Sequence, residues 1–321
     1  RDGLVTGVQT CALPIWRGPT VGSAIKPELV AFGGNWSLNT RANNISSQHL
    51  GEVTTNRTFT TDGLFKDACG TSFATPHVTH LAAQILCELP DASQNLLRAL
   101  LVTHARLPAG SEELISEKGK LRNVFGYGAV DYAALSRSIT NEVTLITEGK
   151  LADKRHHFYE VPIPEDFISA GKRDRELTVS LAYTAPVRST RVSYKATRIE
   201  FRVVAAPDIE HVATMFNKAT SVDEYENISE IGNASIGPSM RSKGTVQADT
   251  WIFKQFNSAS KMRNNRIFVV VTRNDFPWGT TQTQISEPYA LTVCLRDRSN
   301  LQARLYAQIQ VRLQTRVRIR P

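Results

Sequence analysis

Residues Asp67–Pro90 read DACGTSFATPHVTHLAAQILCELP, and this stretch decides how the rest of the chain is interpreted. A serine at a helix start lies beside unpaired backbone N–H groups and the positive end of the helix dipole. That place suits a developing oxyanion, although a serine there more often serves only as a helix cap. Pro76 is expected in the first turn, where its missing N–H costs no hydrogen bond, and Pro90 ends the helix. The apolar residues recur at the spacing of one helical face and predict a helix that begins near Ser72: Ala74, Val78, Leu81, Ala82, Ile85 and Leu89.

The nine residues Gly70–Val78 carry a specific pattern around this serine, Gly-Thr-Ser-Phe-Ala-Thr-Pro-His-Val. They closely resemble the nucleophile motif of the subtilisin-like serine peptidases, the subtilases, which runs Gly-Thr-Ser-x-Ala-x-Pro-x-Val. All the specified positions agree, so the motif is far more specific than a lone Gly-x-Ser. Ala74 stands where the Gly-x-Ser-x-Gly elbow of the α/β-hydrolases has its second glycine, which argues against that fold.

Two flanking regions are similar to the same family. The stretch Ser23–Gly34 resembles the subtilase strand and loop Lys-Pro-Asp-(apolar)-(apolar)-Ala-Pro-Gly, with Glu28 in place of Asp and Phe32 in place of Pro. The stretches Leu97–Ala105 and Gly126–Asp131 resemble the closing elements of a subtilase domain. The resemblance therefore covers residues 18 to 138.

The resemblance implies a serine endopeptidase that acts on a protein or peptide substrate. Ser72 would attack the scissile carbonyl, and its backbone N–H would form part of the oxyanion hole. Gly70 and Thr71 would contribute to substrate binding. No cofactor is implied, and neither a zinc spacing nor an EF-hand loop predicts a metal site.

The other members of the catalytic triad are not found in this sequence. Subtilases carry the triad in the order Asp, His, Ser, and no stretch before Ser72 resembles the first two motifs. His77 and His80 lie further along the helix of the serine and are poorly placed to act as its base. We therefore expect an N-terminally truncated fragment that is nearly inactive, because loss of the histidine costs subtilisin about 10⁶ in kcat. The alternative is a non-catalytic, subtilase-like binding or scaffold protein.

The first fifteen residues differ in character from the rest. Val5–Ile15 resembles a translated sequencing adapter, so residues 1–15 are interpreted as a scar outside the fold. The C-terminal part of a subtilase catalytic domain is then expected at 16–140 and a β domain at 141–321. The predicted fold class is α/β, the C-terminal part of a subtilisin-like parallel-sheet domain followed by an all-β sandwich or jelly roll.

The β domain is predicted from runs of β-branched and aromatic residues that are separated by polar turns, with no convincing helix between them. Thr220–Met240 is expected to be a long loop. In the last run, apolar residues alternate with arginines, and this pattern favours an outer strand with a solvated cationic face. The predicted strands are Val143–Ile146, Phe158–Ile163, Leu177–Tyr183, Val192–Val204, Ile267–Thr272, Tyr289–Leu295 and Leu305–Ile319.

Local signals place further elements in the first half. We predict a buried strand at Glu28–Phe32, a long loop or loose hairpin at Asn35–Lys66, and a surface excursion at Ser111–Asn123. Asp91 with Gln94 resembles a capping box for the helix that follows. A short helix is expected around Tyr132–Ser138.

Composition limits the remaining classes. A chain of 321 residues with 41% hydrophobic and 21% charged residues is typical of two globular domains. No apolar run reaches the roughly 18 residues of a membrane span. The net charge of +8 could suit nucleic acid, but no aromatic residues interleave with the arginines of the last strand, which argues against that partner. Few cysteines favour a reducing, cytoplasmic compartment, although localisation and oligomeric state stay undecided.

Overall fold

The chain divides into two compact units. The first unit comprises Arg1–Pro19, Lys26–Asp91 and Ala105–Val130, and the second comprises Thr20–Ile25, Ala92–His104 and Asp131–Pro321. The fold is a mixture of helices and small antiparallel sheets. No helix among the described residues is long and apolar enough to cross a membrane. The computed structural model describes residues 17–39, 43–47, 49–131, 141–169, 171–188, 190–191, 193–218, 224–225, 227–232, 234–255, 265–279, 283–300 and 305.

The first unit contains three short strand pairs, one long helix and three short helices among its described residues. β1 pairs with β2, β3 with β4, and β5 with β6, each in antiparallel register. A parallel bridge joins Val30 to Ala129. The elements are β1 (Ser37–Asn39), β2 (Asn44–Ser46), β3 (Glu52–Thr55), α1 (Phe59–Asp62), β4 (Phe65–Ala68), α2 (Thr71–Glu88), β5 (Ala105–Arg106), α4 (Ser111–Leu114), α5 (Lys118–Phe125) and β6 (Ala129–Val130), with α3 of the second unit lying between α2 and β5 in sequence.

The second unit contains two antiparallel sheets, with strand orders β11-β9-β13-β7 and β10-β12-β8. A single-turn 3-10 helix at Val21–Ser23 also belongs to this unit. Its elements are α3 (Gln94–Thr103), β7 (Glu142–Ala152), β8 (His156–Val161), α6 (Glu165–Ile168), β9 (Arg175–Tyr183), β10 (Thr197–Ala206), α7 (Ile209–Lys218), α8 (Pro238–Arg241), β11 (Val246–Phe253), β12 (Arg266–Asp275) and β13 (Ser286–Asp297).

One apolar cluster is shared by the two sheets of the second unit. Because side chains alternate across a strand, every second residue of each strand points into this cluster. From β13 these are Tyr289, Leu291, Val293 and Leu295, and they lie in register with the odd-numbered residues of β9. The cluster also takes Ile199, Phe201 and Val203 from β10 and Ile267, Val269 and Val271 from β12.

Each sheet carries a helix on its other face. α7 packs with Val212 and Phe216 against Val204, Phe268 and Val270. α3 contacts β13, β9 and β11, and its Thr103 Oγ1 lies 2.5 Å from Thr292 Oγ1. The structure therefore places α3 on the even-numbered face of β13.

The predicted helix after Ser72 is present, with one difference in its start. α2 begins at Thr71, so Pro76 lies inside the helix in its second turn rather than in the first. Its missing N–H leaves the carbonyl of Ser72 without the usual i→i−4 donor. The expected apolar stripe is largely half-buried or exposed, and Ile85 is the buried residue of the helix.

The structure corrects two other predictions for the first half, the strand at Glu28–Phe32 and the cap at Asp91, and adds elements to two more segments. Glu28–Phe32 is not a buried strand, because the chain there is half-buried or exposed and forms a single β-bridge, at Val30. The segment 35–66, predicted as a long loop or loose hairpin, contains the β1–β2 hairpin, β3, α1 and the start of β4 among its described residues. The segment 111–123, predicted as a surface excursion, is mostly exposed and contains α4 and most of α5. The cap of α3 is Ser93, whose Oγ accepts from the Leu96 N–H at 3.1 Å, and not Asp91.

In the second half, six of the predicted strand runs coincide with β7, β8, β9, β10, β12 and β13. β11 was not predicted, and the expectation of no helix between the strands is wrong, because α7 follows β10. The predicted loop at 220–240 includes part of α8 among its described residues. The adapter-like residues, the helix expected at 132–138 and the arginine-rich run after Leu305 lie outside the described residues.

Candidate active site

Ser72 occupies the second position of α2. Gly70 is the N-cap residue, Thr71 begins the helix, and the Phe73 N–H donates to the Gly70 carbonyl at 3.0 Å. The Ser72 side chain is exposed at this helix end. The first N–H groups of a helix have no intrahelical acceptor, so Ser72 lies beside donors that can stabilise a developing negative charge.

A glycine pair braces the loop that leads into the serine. The Gly70 N–H donates to the Gly33 carbonyl at 2.8 Å. A Cβ at Gly33 would lie 2.5 Å from the Gly70 oxygen, and Gly34 has a φ of +83° with a Cβ position 2.6 Å from the Ala68 oxygen. Only glycine permits both this backbone conformation and this approach. The turn at 33–34 therefore fixes the position of Gly70 and of the serine two residues later.

The cysteine next to this loop does not compete as a nucleophile. Cys69 Sγ donates to the Asn35 carbonyl at 2.7 Å. Burial, and then the negative charge of Asp67, raise the pKa of the Cys69 thiol. Because the thiolate is the reactive form, the Cys69 side chain stays in its less reactive protonated state near neutral pH.

The histidines near the serine make other contacts. His77 Nε2 lies 3.2 Å from Glu52 Oε1, and the His80 ring is exposed further along α2. Within the second unit, His156 Nδ1 lies 2.9 Å from Thr272 Oγ1, and His157 Nδ1 lies 2.7 Å from the hydroxyl oxygen of Tyr289. No hydrogen bond joins Ser72 to any of the chain's histidines, all of which the structure describes. Among the described residues, Ser72 thus lies beside backbone donors, and no histidine is placed to take its proton.

A separate group of potential metal ligands lies in the second unit. One ligand atom each from His104, Glu142 and Cys294 lies within 4.8 Å of the others, and all of these side chains are buried. Burial alone would raise the pKa of the Glu142 carboxyl. The nearby His104 ring, together with the hydrogen bond and the charge of Arg296, outweighs burial, so this pKa is lower than usual. The carboxylate is therefore ionised near neutral pH.

These features were predictable to different degrees. The structure brings Gly70, Thr71 and Ser72 together at the start of α2, while their catalytic and binding roles stay predictions. The contact of the Gly33–Gly34 turn with Gly70 was not predicted. The ligand group at His104 was missed because its members are 38 and 152 residues apart and follow no known metal spacing.

Residues 16–128 match the sequence profile of the Subtilase family. The chain is also 30% identical over 305 residues to the protein y4bN of Sinorhizobium fredii, whose function is uncharacterised. This match spans 92% of the chain and 68% of that protein. The chain belongs to the subtilase family. Because the match extends far beyond residue 128, most of the second unit also has a counterpart in the relative.

Proposed function

We propose that this protein is a subtilisin-type serine endopeptidase in which Ser72 is the nucleophile. The observation that carries the proposal is the exposed serine at the second position of α2, within the Gly-Thr-Ser motif of a subtilase-family chain. Ser72 Oγ attacks the scissile carbonyl, and the N–H of Ser72 stabilises the oxyanion. Gly70 and Thr71 contact the protein or peptide substrate next to the scissile bond.

The catalytic base comes from sequence outside these 321 residues. The nearest histidines along the chain, His77 and His80, lie further along α2, and His77 contacts Glu52. The subtilase resemblance assigns the missing histidine, its orienting aspartate and an oxyanion asparagine to the upstream part of a catalytic domain. The present chain alone would then be nearly inactive, with a loss in kcat on the order of 10⁶.

Exposed apolar side chains of the first unit support this assignment. Twelve of the seventeen exposed large hydrophobic residues among those the structure describes belong to the first unit, which is the smaller one. They include Trp36, Val53 and Phe65, the last two from the β3–β4 pair before the serine. This concentration of exposed apolar side chains favours burial against another segment or partner. The rest of a catalytic domain is the occupant proposed here.

The finer fold assignment rests on two features. The parallel bridge between Val30 and Ala129 supports a remnant of a parallel sheet in residues 16–140. The apolar cluster shared by two antiparallel sheets supports a β-sandwich in residues 141–321. We assign to this second domain a role in folding of the catalytic domain or in engaging the substrate.

The test is proteolysis by the protein expressed with its upstream coding sequence. We expect cleavage of an unfolded protein substrate, and Ser72→Ala should lower kcat by about 10⁶, as the same loss does in subtilisin. Thr79→Ala is the matched control, because Thr79 is an exposed hydroxyl residue of the same helix, and it should cleave normally. Activity that survives Ser72→Ala would contradict the proposal.

A second candidate is a non-catalytic binding or scaffold protein. The observation that favours it is that no histidine bonds Ser72. This reading predicts that the protein with its upstream sequence folds but cleaves nothing and binds its partner equally well with Ser72→Ala. Cleavage that depends on Ser72 would exclude it.

A further inference from the structure

His104, Glu142 and Cys294 come from three different elements of the second unit. His104 is the C-cap residue of α3, Glu142 begins β7, and Cys294 lies in β13. In the β13–β7 register Glu142 lies opposite Arg296. Cys294 is two residues from Arg296 in β13, so the side chains of Glu142 and Cys294 lie on the same face of the sheet. α3 covers this face, and its C-cap residue His104 therefore lies next to Glu142 and Cys294.

The separations of the ligand atoms suit one small metal ion. Glu142 Oε1 lies 3.3 Å from His104 Nδ1 and 3.2 Å from Cys294 Sγ. Zinc bonds of about 2.0–2.3 Å in tetrahedral geometry place neighbouring donors roughly 3.3–3.8 Å apart. Two of the three ligand pairs therefore have nearly the separation that one zinc ion requires, and the third pair, His104 and Cys294, lies within 4.8 Å.

His104 presents an unsatisfied ring nitrogen to this group. Its side chain is only 4% exposed, and Nδ1 makes no hydrogen bond although it lies near the carboxylate. The opposite ring nitrogen, Nε2, lies 3.5 Å from Thr144 Oγ1. A proton on Nε2 would leave the Nδ1 lone pair directed at Glu142 and Cys294. Buried polar atoms without partners are uncommon, and a metal ion would satisfy this one.

Arg296 holds the carboxylate in the orientation that a metal needs. Its Nε lies 2.5 Å from Glu142 Oε2, so Oε1 remains directed towards His104 and Cys294. Bonds of this kind to the outer atom of a ligand orient it and are typical of metal sites. The charges also fit, because a thiolate, a carboxylate and one guanidinium sum to −1 and a divalent cation brings the group to +1.

We propose that His104 Nδ1, Glu142 Oε1 and Cys294 Sγ form a zinc site that binds α3 to the β7–β13 edge of the second unit, with water as the fourth ligand. A thiolate with an imidazole selects zinc over magnesium or calcium. On binding, the S–H bond of Cys294 breaks, its proton goes to solvent, and a bond between Sγ and zinc forms. This inference is independent of the proposed peptidase activity.

The first test is metal binding by the full chain after removal of metals with a chelator. Zinc should bind with one equivalent per chain and raise the melting temperature. Cobalt(II), used as a spectroscopic substitute, should show the charge-transfer absorption of a thiolate bond. A folded chain that takes up neither metal, or cobalt uptake without that absorption, would overturn the proposal.

Variants assign the ligands. Cys294→Ser and Glu142→Gln should each weaken zinc binding at least tenfold, and Cys294→Ser should abolish the cobalt–thiolate absorption. Cys87→Ala is the matched control, because Cys87 is an exposed cysteine of α2, and it should leave binding and absorption unchanged. Should Cys294→Ser fail to fold, the absorption of the wild-type and Cys87→Ala chains still decides the proposal. Equal binding by a folded Cys294→Ser variant would overturn it.

Discussion

α2 and β9 are both rich in apolar residues, but they bury them to very different degrees. Of the eighteen residues of α2, Ile85 is the buried one, whereas all nine residues of β9 are buried. The sheets of the second unit find their apolar partners within that unit. The helix that carries Ser72 keeps an apolar stripe that the described residues cover only in part. This difference is the one that the proposed function predicts, because further parts of a catalytic domain would cover α2.

Hydrogen exchange tests this contrast with the largest expected effect. Amides of β9 and β13 should exchange only through global unfolding, while those of α2 exchange through local opening. We expect α2 to exchange at least about a hundredfold faster than the two strands. α3 is the matched control, because it is a helix with a well-buried face and should be protected like the sheets. Equal protection of α2 and β9 would break the comparison.

Removing a buried charge from the second unit should lower the stability of the protein far more than removing an exposed charge from the first unit. Arg241 is 1% exposed, contacts Glu230, donates from Nη1 to Asp249 Oδ2 at 2.8 Å, and lies 4.3 Å from the centre of the Phe201 ring. Arg241→Ala removes the guanidinium that pairs with both carboxylates and should lower the free energy of unfolding by about 3–5 kcal/mol. Denaturant unfolding measures this loss.

The control for Arg241 is Arg57→Ala in the first unit, where Arg57 is exposed. Its effect should stay within about 0.5 kcal/mol. A loss at Arg57 as large as that at Arg241 would show that exposure in the first unit does not reflect weak packing.

Lys195 makes the stability of the second unit depend on pH. Burial, followed by the nearby Arg198 charge, lowers the pKa of Lys195 to about 8, and its Nζ lies 2.7 Å from the Lys243 carbonyl. Between this pKa and the higher pKa of lysine in the unfolded chain, the unfolded chain binds more protons at Lys195 than the folded chain does. The free energy of unfolding therefore rises with pH across this range. The gain between pH 7 and 9.5 is about 2 kcal/mol.

The measurement compares denaturant midpoints of the wild type and Lys195→Met at both pH values. The difference in unfolding free energy between the two proteins should change by that amount between the two pH values, since the other titrating groups are common to both. A difference that does not vary with pH would mean that the Lys195 amine titrates normally.

The smallest effect is expected at the cap of α3. Ser93→Ala removes the acceptor for the Leu96 N–H and should cost about 1 kcal/mol of unfolding free energy. Ser93→Asp keeps an acceptor at this position and should retain most of the stability. Thermal unfolding of the two variants distinguishes them, and an equal loss in both would argue against a capping role.

Sequence patterns predicted the elements that carry a clear local signal. The helix after Ser72 was found from apolar residues at helical spacing, and six strands were found from runs of β-branched and aromatic residues. β11 was missed because Gln247 and Asp249 occupy core-facing positions and break the apolar alternation. Gln247 Nε2 donates to the Ile199 carbonyl at 2.7 Å, and Asp249 pairs with Arg241. Long-range partners of this kind are not visible in a local pattern.

The helix α7 was missed although it carries a local signal. Ile209, Val212 and Phe216 have helical spacing, and Asp208 Oδ1 accepts from the His211 N–H at 2.8 Å as a cap would. The strand-like runs on either side outweighed this short signal. At the candidate site, the motif identified Ser72, whereas the approach of Gly33 to Gly70 depends on chain packing that no local pattern specifies.

Covalent labelling by a fluorophosphonate tests the central claim most directly. The protein is expressed with the coding sequence upstream of residue 16, labelled, digested and analysed by peptide mass spectrometry. The proposed function predicts a single adduct on Ser72, lost in Ser72→Ala and retained in Thr79→Ala. A folded protein that carries no adduct on Ser72 would contradict the assignment of Ser72 as an activated nucleophile.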